Sequence, residues 1–148
     1  MNGQLNQVEQ ISNQLYGPSP SNEIKTYCEN VKNYYISNID ECNILFEKLQ
    51  NTNNEYFSFW LIDVIINIIN INYNNLRINQ KEIIRNYIVY LIKNPIEIFK
   101  KYNFILNKYC QLILLFIKYD YPENINNFFT DIIQNIYVSN NNNNNNNL

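Results

Sequence analysis

Along the apolar run that starts at Tyr56, the polar residues Asp63, Asn67, Asn70 and Asn74 recur at intervals of four, three and four. Residues three or four apart share one face of an α-helix, whereas a strand alternates, so this spacing draws a single narrow polar stripe down a helix. Spacing here overrules the β propensity of the isoleucines that fill the run. The core of the run, Tyr56 to Ile71, is apolar enough to raise the question of a membrane span. Asp63, Asn67 and Asn70 interrupt it, and it falls short of the ~20 residues a bilayer crossing requires, so it reads as a buried helix with no membrane partner.

The same test finds helices elsewhere. Ile24, Tyr27, Cys28, Val31, Tyr34 and Tyr35 make one apolar face, and Ile39, Cys42, Leu45, Phe46 and Leu49 make another. Ile83, Ile84, Tyr87, Ile88, Leu91 and Ile92 repeat as adjacent pairs, while Ile125, Phe128, Phe129, Ile132, Ile133, Ile136 and Tyr137 keep a three-four spacing. Phe104 to Tyr119 is apolar nearly all round and should be an inner helix like the Tyr56 run. Start signals accompany these segments: Ser19-Pro20, Asn38 to Glu41, the capping-box spacing of Thr52 to Glu55, Asn79 to Glu82, and Asp120 to Glu123 with Pro122 inside.

About six helices with short links follow, preceded by a weaker amphipathic stretch at Leu5, Val8, Ile11 and Leu15 within a polar leader, residues 1–18. Short links make neighbours antiparallel. The expected fold is an all-α solenoid of about three helix pairs, residues 20–50, 54–93 and 103–138, at the spacing of roughly 40 residues typical of HEAT repeats. A compact helical bundle is the alternative. Residues 139–148, Ser139 and a run of asparagines closed by Leu148, form a tail that can bury nothing and is expected to be disordered.

Composition narrows the functional classes. Asn and Ile dominate, a bias that tracks AT-rich codons, so neither is read as a functional signal where it stands alone. A formal net charge of −2 supplies no global basic field for nucleic acid. Cys28, Cys42 and Cys110 are widely spaced, odd in number and without His partners, which fits a reducing compartment better than a disulfide framework or a zinc site. The polar N-terminus carries no secretory signal. The chain holds no His, its only glycines are Gly3 and Gly17, and its carboxylates sit mostly on polar helix faces or at caps. General acid-base, nucleophilic, phosphate-cradling and metal chemistry all lack their usual residues, so an enzyme, a cofactor and a metal are not expected.

Two features carry paired readings. Asp63, the lone acid of the densest apolar helix, is either one member of that helix's solvated stripe or a partly buried acid that bonds a neighbouring helix and fixes its register. Lys93, Lys100, Lys101 and Lys108, with Tyr102, surround the Asn94 to Asn103 connection, either as a solvated loop or as a phosphate-contacting patch for RNA.

From Glu55 onward the residue order resembles the N-terminal region of exportins in the importin-β superfamily, most of all the exportin that carries tRNA. Phe57-Ser58-Phe59 followed by Leu61-Ile62-Asp63 is similar to the family's Phe-x-Phe, aliphatic pair and acid, where the acid is usually Glu. Gln80 with Ile83-Ile84-Arg85 resembles its Gln, aliphatic, aliphatic, Arg order. Phe104-Ile105-Leu106-Asn107-Lys108 is similar to the opening of the third hairpin, and Tyr121-Pro122 before Phe128-Phe129-x-Asp131 to an aromatic-Pro turn and its helix. Ile125 stands where that family commonly has Trp.

The resemblance implies a superhelix of HEAT repeats whose first hairpins embrace the small GTPase Ran in its GTP form, binding it together with cargo in the nucleus and releasing both in the cytoplasm. The second helix of each pair would then line the concave side. Its outward polar residues are the Ran-contact candidates: Glu41, Glu47 and Lys48; Lys81, Glu82, Arg85 and Asn86; Asn127, Asp131 and Gln134. Lys93, Lys100, Lys101 and Lys108 are the candidates for tRNA. Because an exportin is several times longer, three hairpins cannot encircle a tRNA, and a truncated relative or a fragment is expected. The rival expectation is a helical adaptor that takes a partner's helix or extended peptide without Ran or tRNA.

Overall fold

A computed structural model of the chain describes residues 2 to 120, together with Thr130 and Gln134. Its helices are α1 (Asn2–Leu15), α2 (Asn22–Ser37), α3 (Cys42–Asn51), α4 (Glu55–Asn72), α5 (Ile78–Lys93), α6 (Glu97–Lys101) and α7 (Asn103–Asp120). Single 3₁₀ turns, Ile39–Glu41 and Tyr73–Asn75, precede α3 and follow α4. The chain is all-α and HEAT-like: α2, α4 and α7 lie side by side in one layer, and α3 contacts α5 in the other. Most of the expected second helix of the third pair, including Ile125, Asn127, Phe128, Phe129 and Asp131, lies outside the described residues, as does the 139–148 tail.

Helix α4 occupies the middle of the structure, packed by α1, α2, α3 and α7. It is long and apolar enough to cross a membrane by length and composition alone. Here its apolar surface is spent on protein instead, with Phe57, Trp60, Leu61, Ile62, Val64, Ile65, Ile68 and Ile69 all buried. Each such side chain contributes about 1.5–3 kcal/mol of transfer free energy, set against the chain entropy that ordering it costs. Partners come from every neighbour: Leu5 and Val8 of α1, Cys28, Val31 and Tyr35 of α2, Leu45, Phe46 and Leu49 of α3, and Ile105, Leu112 and Phe116 of α7 belong to the same core.

The leader is more ordered than its composition suggests. α1 is a full helix that buries Leu5, Val8 and Ser12. It also holds the start of α4. Ser12 Oγ donates to Asn54 Oδ1 at 3.3 Å, Asn54 Nδ2 donates to the Glu9 carbonyl at 3.1 Å, and Thr52 Oγ1 donates to the Glu9 carboxylate. Lys48 Nζ of α3 donates to Asn6 Oδ1 at 2.6 Å.

Several start signals fall on neighbouring residues. Asn54, not Thr52, caps α4, accepting from the Phe57 N–H at 3.0 Å, while Thr52 faces α1. Ser21 rather than Ser19 caps α2, accepting from the Ile24 N–H at 3.3 Å. Asn38 ends α2 instead of starting the next helix, its Nδ2 donating to the Tyr34 carbonyl at 2.8 Å. α5 begins at Ile78, and Gln80 Oε1 reaches back to the Arg77 N–H at 2.9 Å. For α2 and α4 a short polar side chain two residues along accepts the orphan amide.

Asn54→Ala is expected to remove both the cap of α4 and its tie to α1, shifting the chemical-denaturation midpoint by the equivalent of about 1–2 kcal/mol. Asn54→Asp, which keeps the cap acceptor and loses only the amide donor, should recover part of that loss.

Candidate functional site

Two ion networks tie the helices together, one within the α2, α4 and α7 layer and one between α7 and α5. Asp63, on the α2- and α7-facing side of α4, receives Lys32 Nζ of α2 at 3.0 Å on Oδ2 and Lys108 Nζ of α7 at 2.6 Å on Oδ1. The three side chains keep only 18–25% of their exposure. Lys108 Nζ also lies 5.1 Å from the Phe59 ring centroid, so its charge is held over an aromatic face as well. Burial alone would raise the Asp63 carboxyl, but the hydrogen bonds and charges of Lys108 and Lys32 outweigh it and hold the group below the usual carboxylate value. Asp63 is thus the register-fixing acid, and the solvated stripe is confined to Asn70 and Asn74 further along.

The second network closes the other end of the same layer. Asp120 at the end of α7 is fully buried, and Arg85 of α5 grips it with Nε at 2.6 Å and Nη2 at 2.9 Å. Tyr73 donates its hydroxyl to the same carboxylate, and its own titration is pushed upward by burial and then by that bond. At the surface, Gln80 Nε2 and Arg77 Nη2 both donate to Asp40 Oδ1 at 2.7 Å, tying the start of α5 to the turn after α2.

These networks sort the receptor-contact candidates. Arg85 is engaged by Asp120; Glu41, in the 3₁₀ turn rather than in α3, accepts from the Tyr34 hydroxyl at 2.7 Å; Lys48 reaches Asn6. Lys81 lies over the Tyr73 ring at 5.0 Å from its centroid. Glu47, Glu82 and Asn86 are exposed. Gln134 is helical and exposed, while Asn127 and Asp131 lie outside the described residues.

Asn86 borders a groove of about 290 Å³ between α3 and α5, lined also by Gln50, Tyr87 and Tyr90. Beneath it Tyr87 stacks on Phe46 at 4.8 Å with nearly parallel rings, which joins the two helices. Tyr90 is 53% exposed and Ile83 41%. Sequence reasoning placed Ile83 and Tyr87 on the core face of α5 and passed over Tyr90, since helical spacing cannot tell a face that meets a neighbour from one that waits for a partner.

The lysine patch divides. Lys100 and Lys101 line a pocket of about 480 Å³ with Asn53, Glu97, Ile98 and Tyr102, and Lys100 pairs with Glu97 at 3.4 Å. Lys93 is exposed but is not part of that lining. Lys108 has turned to Asp63. The connection itself is not an open loop: α6 inserts Ile98 and Phe99 into the core, with Phe99 4.3 Å from the Tyr109 ring.

Cys28 and Cys42 are buried, and burial pushes each thiol up to about 11, so both stay protonated at neutral pH. Among the described residues no group of His, Cys, Asp or Glu is placed to hold a metal ion. The arrangement is that of a HEAT-like stack of helices.

Comparison with known proteins shows what the chain is similar to. Residues 102–148 match the family model described as exportin 1-like protein. The chain is 26% identical over 132 residues to exportin-6-A of Xenopus laevis, an alignment covering 89% of this chain and 12% of that protein. No solved structure matches the chain significantly. Both likenesses are to exportins, and they do not single out the exportin that carries tRNA.

Asp63→Asn should lower the melting temperature by roughly 4–8 °C, the equivalent of about 2 kcal/mol, because two ammonium groups are left facing each other. An unchanged melting temperature would remove the register role. Because the folded-state titration of Asp63 is depressed, its contribution is present above the ordinary aspartate value of ~3.9 and is lost as pH falls through the lower folded value. The gap between wild type and variant, followed by thermal melts, should therefore narrow in acid.

Proposed function

We propose that this chain is a segment of a nuclear export receptor that shuttles between nucleus and cytoplasm and engages the GTP-bound form of Ran through the α3/α5 face. The observation that carries the proposal is the exposure of Glu47, Glu82 and Asn86 around the α3/α5 groove of an exportin-like scaffold. Complementarity of surfaces does the work, with the acids steering a basic partner patch and the Tyr87 and Tyr90 rings supplying apolar contact. Export is a linkage: a receptor that holds its cargo more tightly with Ran-GTP bound must also hold Ran-GTP more tightly with cargo bound. The chain spans 12% of the length of the exportin it matches, so the activity of a whole receptor enters here only as part of this proposal.

A tRNA cargo is the finer form of the reading. It is supported by the order of Phe57 to Asp63, Gln80 to Arg85 and Phe104 to Lys108, and by Lys100 and Lys101 in one pocket. Lys108 drops out of the contact set because Asp63 holds it. A second reading, an adaptor indifferent to Ran, is favoured by the groove itself, whose apolar lining suits the face of an amphipathic helix.

Immobilised chain should recover Ran loaded with GTP about tenfold better than Ran loaded with GDP, and Glu47→Lys with Glu82→Lys should abolish the difference. Equal recovery with both nucleotides would leave the adaptor reading. For tRNA, Lys93→Gln with Lys100→Gln and Lys101→Gln should weaken binding and flatten its dependence on salt, measured by anisotropy from low to physiological ionic strength. An unaltered salt slope would take these lysines out of any RNA surface.

A further inference from the structure

The link between α1 and α2 reads Gly17-Pro18-Ser19-Pro20-Ser21, and Ser19 is the chain's only serine or threonine followed by proline. Because Ser21 caps α2, the Ser19 hydroxyl is released from the capping role its position suggests. Ser19 is exposed, and among the described residues its side chain takes part in no hydrogen bond. No backbone hydrogen bond holds residues 18–20 either.

The other described serine and threonine hydroxyls are closed off or committed. Ser12, Thr52 and Ser58 are buried, Thr26 and Ser37 lie within α2, and Thr130 is helical as well. Ser21 is exposed but accepts from the Ile24 N–H. Ser19 alone combines exposure, a non-helical backbone and an uncommitted hydroxyl. Its backbone is also extended beforehand, because Pro20 disfavours the helical region for the residue before it and Pro18 has a fixed φ. A transferase that reads the sequence around a hydroxyl grips an extended chain, and here it need break no internal bond to do so.

We infer that Ser19 is a phosphorylation site for a proline-directed protein kinase, on a link that shares no residue with the α3/α5 groove. The kinase class follows from Pro20. With no N–H, it enters an apolar pocket beside the reacting serine without burying an unpaired donor, as any other residue would. In the transfer Ser19 Oγ bonds to the γ-phosphorus of ATP, the bond from that phosphorus to ADP breaks, and the hydroxyl proton passes to the kinase's catalytic carboxylate. The product adds roughly −1.5 to −2 to a chain of formal net charge −2. That charge stands before the first turn of α2, whose free amides favour an anion and whose Glu23 opposes one. With no contact of Ser19 to disturb, the phosphate is a surface charge mark and leaves the fold as it is.

The full chain is incubated with Mg²⁺, ATP and an active mitogen-activated protein kinase, beside a synthetic peptide of residues 14–26, and the products are mapped by tandem mass spectrometry. One phosphate on Ser19 is expected, added to the folded chain within about fivefold of the rate on the free peptide. Ser19→Ala should abolish it, Pro20→Ala should slow it about tenfold or more, and Ser21→Ala should leave it unchanged. Circular dichroism of each variant and of the phosphorylated chain should show unaltered helix content, with the melting temperature of the phosphorylated chain within about 2 °C of the unmodified one. A phosphate found elsewhere with Ser19 unmodified, equal rates for wild type and Pro20→Ala, or no transfer to chain and peptide alike would overturn the assignment. So would a folded chain phosphorylated more than about a hundredfold more slowly than the peptide, since the link would then be closed to an enzyme.

Discussion

The structure depends on where α4 keeps its one acid. Helix α4 is packed by α1, α2, α3 and α7, and a carboxylate largely withdrawn from water within it loses hydration that charge partners must replace. Asp63 finds them in Lys32 and Lys108, one from each helix flanking α4 in its layer. Apolar packing alone would tolerate sliding of α2 or α7 along α4, since isoleucine and leucine surfaces repeat with every turn. The two ammonium groups permit one register, and α2, α4 and α7 are thereby fixed as a layer.

Four of the residues that carry the family resemblance, Asp63, Gln80, Arg85 and Lys108, take part in this locking. Asp63 follows the Phe57-Ser58-Phe59 segment and bonds Lys108, which ends the Phe104 to Lys108 segment. Arg85 closes the Gln80 to Arg85 segment and grips Asp120, just before the Tyr121-Pro122 turn. Gln80 itself fastens the start of α5 to Asp40. Segments far apart in the chain are thus coupled in pairs, Asp63 with Lys108 within one layer and Arg85 with Asp120 between layers. A resemblance built on such residues reports a scaffold, and partner contacts must be sought among side chains the framework leaves free.

That distinction explains how the candidate surface divides. Glu47, Glu82 and Asn86 were legible as outward polar residues because α3 and α5 have the faces their spacing indicates. Arg85, Glu41 and Lys48 shared the same helical phase, yet each meets a group more than a hairpin turn away or on another helix, which no local pattern records. Tyr90 escaped notice for the converse reason: an aromatic residue at helical spacing looks like core until the neighbouring helices are in place.

By itself the sequence determined that the chain is helical, where α2, α3, α4, α5 and α7 run and that α4 and α7 pass through the interior, though not the short α6, because the three-four recurrence of apolar side chains is a property of the local backbone. It also carried enough residue order to resemble an exportin. Only the tertiary structure decided that α1 is docked rather than loose, that Asn54 and not Thr52 caps α4, and that Asp63, Lys108, Arg85 and Asp120 face one another. Those outcomes turn on distances between segments remote in the chain, set by how helices of given bulk pack, and the periodicity of any one segment holds no information about them.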